Sequence, residues 1–171
     1  MIEHLIEHLI EHLEQSWVGS TNVCANSASC SPRRRGRARR ASRWPRSRAA
    51  SCSCPGSSRA GEGEIRYVGK VGREFDLKDA QAAARLSALN VLAHARAVLD
   101  DDLDRIAEVV SLRGYINVAP DFIEIAQSVN GASDLMIEVF GDAGAHTRMA
   151  VGVAMMPYNA AVEVEAQFLV R

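Results

Sequence analysis

Residues 63–171 of this 171-residue chain predict an α+β fold, a sheet with two helices packed on one of its faces. Three observations carry that prediction. The patterned segments follow the order strand, helix, strand, helix, strand, strand. The last of them, VEVEAQF, alternates strictly, so that Val162, Val164, Ala166 and Phe168 share one face and Glu163 and Glu165 the other. The pattern also begins abruptly near Gly61 and Gly63, downstream of a stretch with almost no apolar periodicity.

Each element has a local reason. EIRYVGKVG reads as the first strand, with Ile65, Tyr67 and Val68 packing near the sheet and Gly69 and Gly72 marking the exit turn. Asp76 caps a helix whose apolar face runs through Leu77, Ala80, Ala84, Leu86, Leu89, Leu92 and Val98. An acidic turn over 100–104 leads into IAEVVSLRGYINV, a β-rich run through Val109, Leu112, Tyr115, Ile116 and Val118 that Pro120 stops. A second helix over 132–140 ends near Gly141 and Gly144. MAVGVAMM and AAVEVEAQFLV are the last two strands, joined through Pro157, Tyr158 and Asn159.

The upstream part reads as two further segments. Residues 1–19 open with a triple IEHL repeat that lines Ile2, Leu5, Ile6, Leu9, Ile10 and Leu13 along one stripe of a short amphipathic helix. His4, His8 and His12 fall on its polar side, where a solvated face is the simpler reading than a metal site. Residues 20–62 are rich in Arg, Ser, Ala, Gly and Pro, and that composition predicts disorder. The net charge of -1 conceals nine arginines between Arg33 and Arg48. Clustered guanidinium groups attract phosphates, but Trp44 is the one aromatic among them, so no stacking ladder supports specific nucleic-acid recognition. Cys24, Cys30, Cys52 and Cys54 lack the CxxC spacing and nearby histidines of a zinc site, so neither a metal nor another cofactor is expected. Residues 63–171 contain no cysteine, which suits a reducing cytoplasm, and nothing reads as a signal peptide or membrane span.

The string VNGASDLMIEVFGDAGAHTRMAVGVAMMPYNAAVEVEA, with YVGKVG and the helix AQAAARLSALNVLA, closely resembles the YjgF-type Rid family. These are reactive intermediate deaminases, also known as endoribonuclease L-PSP and chorismate-mutase-like proteins. The resemblance covers 64–171 and is nearest to a divergent branch that carries NGASDL. It implies the chorismate-mutase-like fold (bacillus type), a homotrimer with sheets facing inward and helices outside, and ligand clefts between neighbouring subunits.

The resemblance also implies chemistry. Enzymes of the family hydrolyse enamine and imine intermediates such as 2-aminoacrylate, releasing ammonia and a 2-keto acid. The family's substrate-binding arginine falls on Arg148, whose planar guanidinium offers a carboxylate two parallel donors. Without the resemblance, a strand-end arginine paired with a nearby acid is the simpler reading. The active-site glutamate falls on Glu163, which would position or activate water. Asn130 matches the family's helix-start asparagine, and Tyr115 completes the substrate-binding candidates. Two departures weigh against catalysis: Ala150 stands where deaminases have cysteine, and NGASDLMIEVF is longer than the deaminase version. His146 adds a titratable group beside Arg148, where an exposed loop histidine is an equally good reading. Three functions follow: an enamine/imine deaminase, a non-catalytic trimeric binder of small carboxylates, and an RNA-binding or endoribonuclease-like protein.

Rid-family chains begin with a proline-containing segment and a hairpin ending in something like LLFVSGQLP, and neither is visible upstream of EIRYVGKVG. Reading the codons of AASCSCPGSSR from their third base permits LLFVSGQLP, and the same shift of SASCSPRRRG permits LVLPAPPG. The expectation is therefore that 20–62 is a shifted translation of a native segment and that the first hairpin is missing. A sheet without that hairpin exposes an unpaired edge and an apolar face. The chain as written should then be poorly soluble or fail to trimerise, whereas a frame-corrected version forms a clean trimer. Size-exclusion chromatography with light scattering compares them, and equal behaviour refutes the expectation.

Overall fold

The computed structural model describes the strand backbone of 50–57 and all of 66–171. The amphipathic helix, the arginine run, Cys24, Cys30 and Ile65 lie outside the described residues. The elements are β1 (Ala50–Ser57), α1 (Leu77–Val98), β2 (Ile106–Asn117), α2 (Ile125–Ser128), α3 (Asn130–Phe140), β3 (Thr147–Val153) and β4 (Val162–Val170). The strands form one mixed sheet in the order β1-β4-β2-β3, with β2 and β3 parallel and the other pairs antiparallel.

β4 behaves as its alternation predicts. Val162, Val164, Ala166, Phe168 and Val170 are buried, and the residues between them are half-buried on the opposite face. Neighbouring β2 is less regular, because bulges interrupt its pairing with β4 between Ile106 and Glu108 and again between Val109 and Ser111. Each bulge inserts a residue and resets the alternation. Ile106, Val109 and Leu112 are thus buried at intervals of three, before Leu112, Gly114 and Ile116 resume intervals of two.

Both long helices cover this apolar face. Asp76 accepts from the Asp79 amide at 2.8 Å while the Asp79 carboxylate reaches back to the Asp76 amide, a reciprocal cap that starts α1. The buried side of α1 is built largely from Ala80, Ala83, Ala84, Ala88 and Ala95, which lets the helix lie close to α3 and the sheet. Ser87 Oγ, buried on that side, donates to the Val162 carbonyl at 3.2 Å. Leu135, Met136, Val139 and Phe140 of α3 fill the remaining space, and the Phe140 and Phe168 rings meet at 6.2 Å between centroids.

Four expectations change. Glycine bends at Gly69 (φ 148) and Gly72 (φ 89) leave the described part of EIRYVGKVG, residues 66–72, only isolated bridges, Val68 to Ala160 and Val71 to Phe75 and Val118, so that part is an irregular segment and not a strand. α3 begins at Asn130, two residues before the predicted start, directly after the short α2. β3 and β4 are not neighbours, because β2 lies between them. Finally, Ala50–Ser57, inside the stretch expected to be patternless, pairs with β4 along its whole length. A strand edge recruits any extended backbone through main-chain hydrogen bonds, without needing an apolar pattern.

Lys70 and Asn117 close one end of the sheet. The Lys70 ammonium donates to Asn117 Oδ1 at 2.8 Å and to the carbonyls of Val118 (3.2 Å) and Ala154 (2.6 Å). Asn117, fully buried, donates through Nδ2 to the Gly69 carbonyl and to Asn159 Oδ1. Three chain segments are thereby tied to the end of β2.

Glycine also decides how closely α3 approaches its neighbours. A Cβ on Gly131 would stand 2.1 Å from the Gln81 carbonyl oxygen of α1, and one on Gly114 would stand 2.4 Å from Val129 Cγ2. Gly131→Ala should therefore force the helices apart at a cost of about 1–3 kcal/mol, the usual range for overpacking. Urea unfolding measures this, and an unchanged midpoint would show that the close approach contributes nothing.

Candidate functional site

The head of α3 collects the polar side chains that the sequence singled out on this side of the sheet. Val129 is fully buried over Gly114, which delivers Asn130 to the rim of the sheet beside β3. Within β3, Arg148 is the register partner of Leu112 in β2, so its side chain emerges on the helix-covered face. There Arg148 Nη1 donates to Asn130 Oδ1 at 2.8 Å and to Ser133 Oγ at 3.3 Å. Those bonds occupy both protons of Nη1. Neither of those bonds uses the Nε–Nη2 edge of the exposed guanidinium. Such an edge presents two parallel N–H groups, the geometry that a carboxylate matches.

His146 joins the same cluster. Its Nδ1 lies 2.6 Å from the Gly144 carbonyl oxygen and its Nε2 lies 3.1 Å from Ser133 Oγ. A carbonyl can only accept, so Nδ1 carries a proton, and in the neutral ring Nε2 receives the Ser133 hydroxyl proton. Gly144 holds that carbonyl in a tight turn. A Cβ there would stand 2.2 Å from the Met136 carbonyl oxygen. His146 and Ser133 are both half-buried, so the simpler reading of an exposed loop histidine gives way to a ring anchored at both nitrogens.

Glu163 and Tyr115 lie elsewhere. They are register partners in the β2–β4 ladder, both on the face opposite the helices, with Ser57 beyond Glu163 and Val151 beyond Tyr115. The next rung holds Arg113 and Glu165, whose side chains approach to 3.4 Å. The four predicted site residues thus form two pairs, Arg148 with Asn130 and Glu163 with Tyr115, separated by the sheet. Strands lie about 4.8 Å apart and rise about 3.3 Å per residue, so with β2 between them and a three-residue offset from Leu112 to Tyr115, Arg148 and Glu163 are roughly 14 Å apart, with side chains diverging. Sequence reasoning did not single out Ser133. Its signal was present, since Ser133 follows Asn130 by three residues, a spacing that stacks side chains along a helix.

Among the described residues no group of three or more His, Cys, Asp or Glu could hold a metal ion, and no helix is long and apolar enough to cross a membrane.

Comparisons with known proteins agree with this fold. The family described as "YjgF/chorismate_mutase-like, putative endoribonuclease" matches residues 51–168. The match starts upstream of residue 64, where the sequence resemblance began, and takes in most of β1. The crystal structure of Atu1372 from Agrobacterium tumefaciens, a protein of unknown function, is 39% identical, with a TM-score of 0.68 over 70% of this chain and 76% of that one. A Shewanella oneidensis protein described as a "putative endoribonuclease" is 30% identical, with a TM-score of 0.67 over 70% of this chain and 79% of its own. Protein TCP17 of Trypanosoma cruzi is 47% identical over 100 residues, and the chain spans 62% of its length.

The division into two pairs can be measured by double-mutant cycles on unfolding free energy. Arg148→Ala and Glu163→Ala, far apart and on opposite faces of the sheet, should add to within about 0.5 kcal/mol. Arg148→Ala and Asn130→Ala share a hydrogen bond and should show a coupling of about 0.5 kcal/mol or more. Strong coupling in the first cycle would place all four residues in one site.

Proposed function

Because the chain belongs to the YjgF/chorismate mutase-like family, we propose that it binds small carboxylates at Arg148 and hydrolyses enamine or imine intermediates of the 2-aminoacrylate type to a 2-keto acid and ammonia. The observation that carries this reading is the guanidinium fixed by Asn130 and Ser133 with its second edge turned to solvent. A guanidinium already held through one nitrogen loses little freedom when a carboxylate docks on the other edge, so its hydrogen bonds go into affinity.

A non-catalytic binder is the second reading. It is supported by Ala150 in place of the deaminase cysteine and by Glu163 lying across the sheet from Arg148. From that face, Glu163 and Tyr115 would reach a ligand at Arg148 only around the sheet edge or from a neighbouring subunit. The open face carries Met149 at 48% and Val151 at 38% exposure, and this apolar surface supports assembly, where the fold is complete, as a homotrimer with sheets facing one another. The cysteine-free composition of 63–171 supports a cytoplasmic location.

Turnover separates the readings. With freshly generated 2-aminoacrylate, the protein should release keto acid faster than buffer does. Arg148→Ala removes charge-assisted hydrogen bonds of about 1.5–3 kcal/mol, and should weaken substrate use roughly 10- to 150-fold. Arg148→Lys keeps the charge without the fork and should fall between the two. Saturable binding of a small 2-keto acid without turnover would select the binder, and RNA cleavage under the same conditions would select the endoribonuclease.

A further inference from the structure

We propose that His146 is a positioning residue for carboxylate capture: acting through Ser133, it fixes the direction in which Arg148 presents its guanidinium. This rests on the reading of Arg148 as the carboxylate anchor. Three hydrogen bonds in series carry it, because each sets the direction of the next. The Gly144 carbonyl can only accept, so His146 Nδ1, 2.6 Å from it, carries the ring proton. Nε2 of the neutral ring is then an acceptor, and the Ser133 hydroxyl at 3.1 Å is its donor. With that proton committed to the ring, Ser133 Oγ turns lone pairs toward Arg148 Nη1 at 3.3 Å. Every proton in the series points from the guanidinium toward the Gly144 carbonyl, the arrangement in which linked hydrogen bonds polarise one another.

The other orientation of the hydroxyl shows what the ring contributes. A serine hydroxyl is a rotor that donates or accepts, whereas a guanidinium only donates. Without His146 the Ser133 proton is free to turn toward Nη1, and that contact becomes donor against donor. Asn130 Oδ1, at 2.8 Å, then holds Nη1 without help from Ser133, and a single bond lets the guanidinium swing about it. Two acceptors on one nitrogen define the plane of the fork. A carboxylate needs that plane, because its two oxygens engage Nε and Nη2 together, and rotation lost before docking is not lost again on binding. Asn130 and Ser133, three residues apart on α3, share one face of the helix and so approach Arg148 from the same side. Packing fixes the far end of the series. Gly144 is buried, and a Cβ there would meet the Met136 carbonyl oxygen at 2.2 Å, so the closeness of the turn to α3 sets where the acceptor for Nδ1 stands.

Pyruvate binding to the full chain and nitrogen-15 NMR test this together, at about pH 8, where an ordinary imidazole is neutral. The His146 ring should carry its proton on Nδ1, with Nε2 bare, and the Arg148 side-chain N–H signals should be separately resolved. In His146→Ala those Arg148 signals should average while backbone signals far from the site stay in place, a change that a contact merely pinning the turn does not produce. Pyruvate affinity should fall about 3- to 10-fold in His146→Ala and in Ser133→Ala, the scale of one hydrogen bond. The double variant should be no weaker than Ser133→Ala, because His146 acts only through that hydroxyl. Ser133→Thr keeps the hydroxyl and should bind as the wild type does, which covers the case in which alanine disturbs the helix. A ring protonated on Nε2 instead, losses that add in the double variant, or His146→Ala with wild-type affinity and resolved Arg148 signals each overturns the positioning role and leaves the carboxylate site standing. Wild-type protein that binds no pyruvate, or Arg148→Ala that binds it equally well, overturns the anchor itself, whatever the His146 ring shows.

Discussion

The close approach of the α3 head to its surroundings is the constraint on which the site depends. Gly131 sits against the α1 backbone at Gln81, and Gly114 leaves room for Val129 to sink onto β2. Side chains at either glycine position would lift the first turn of α3 by more than a hydrogen bond tolerates, and Asn130 and Ser133 would leave Arg148. The polar cluster is therefore held by packing that contains none of its own atoms. Its precision comes from a close-packed interior, where displacements of even a methyl group are resisted.

The sheet divides the chemistry as firmly as it supports it. Successive side chains of a strand point to opposite faces, so a pairing register assigns every residue a side. Leu112 beside Arg148 and Tyr115 beside Glu163 make that assignment here. The two residues that a linear motif would combine into one site consequently face different environments. One is a rim next to a helix terminus, and the other is an open surface lined by Met149, Val151 and Tyr115. The open face suits association with other copies, and the rim suits a small polar ligand.

At the other end of the sheet, Lys70 and Asn117 show how an irregular segment stays in place without strand pairing. An ammonium satisfied by three carbonyl oxygens, one of them an amide side chain, ties 69–71 to 117–118 and 154. Nearby, the Glu74 carboxyl is held below its usual range, first by the Lys70 amide and then by Arg73. Its contacts close the turn that follows Gly69. These residues explain why 66–72, for all its β-like composition, is organised by turns.

Read alone, the chain determined the two long helices, the buried face of β4 and the identity of Arg148, Asn130 and His146 as residues of interest. The helices and the β4 face follow from local rules, capping by Asp76 and alternation from Val162 to Phe168, whereas Arg148 and Asn130 were marked by the family resemblance and His146 by its place beside Arg148. The tertiary structure decided the rest. The bulges in β2, the separation of β3 from β4, the strand at Ala50–Ser57 and the meeting of Ser133 with His146 all depend on contacts between segments distant in sequence or on turns that no period announces. The physical reason is common to them. Periodicity says which face of an element is apolar, but only pairing and packing say which elements share that face, and a site is made of side chains that share one.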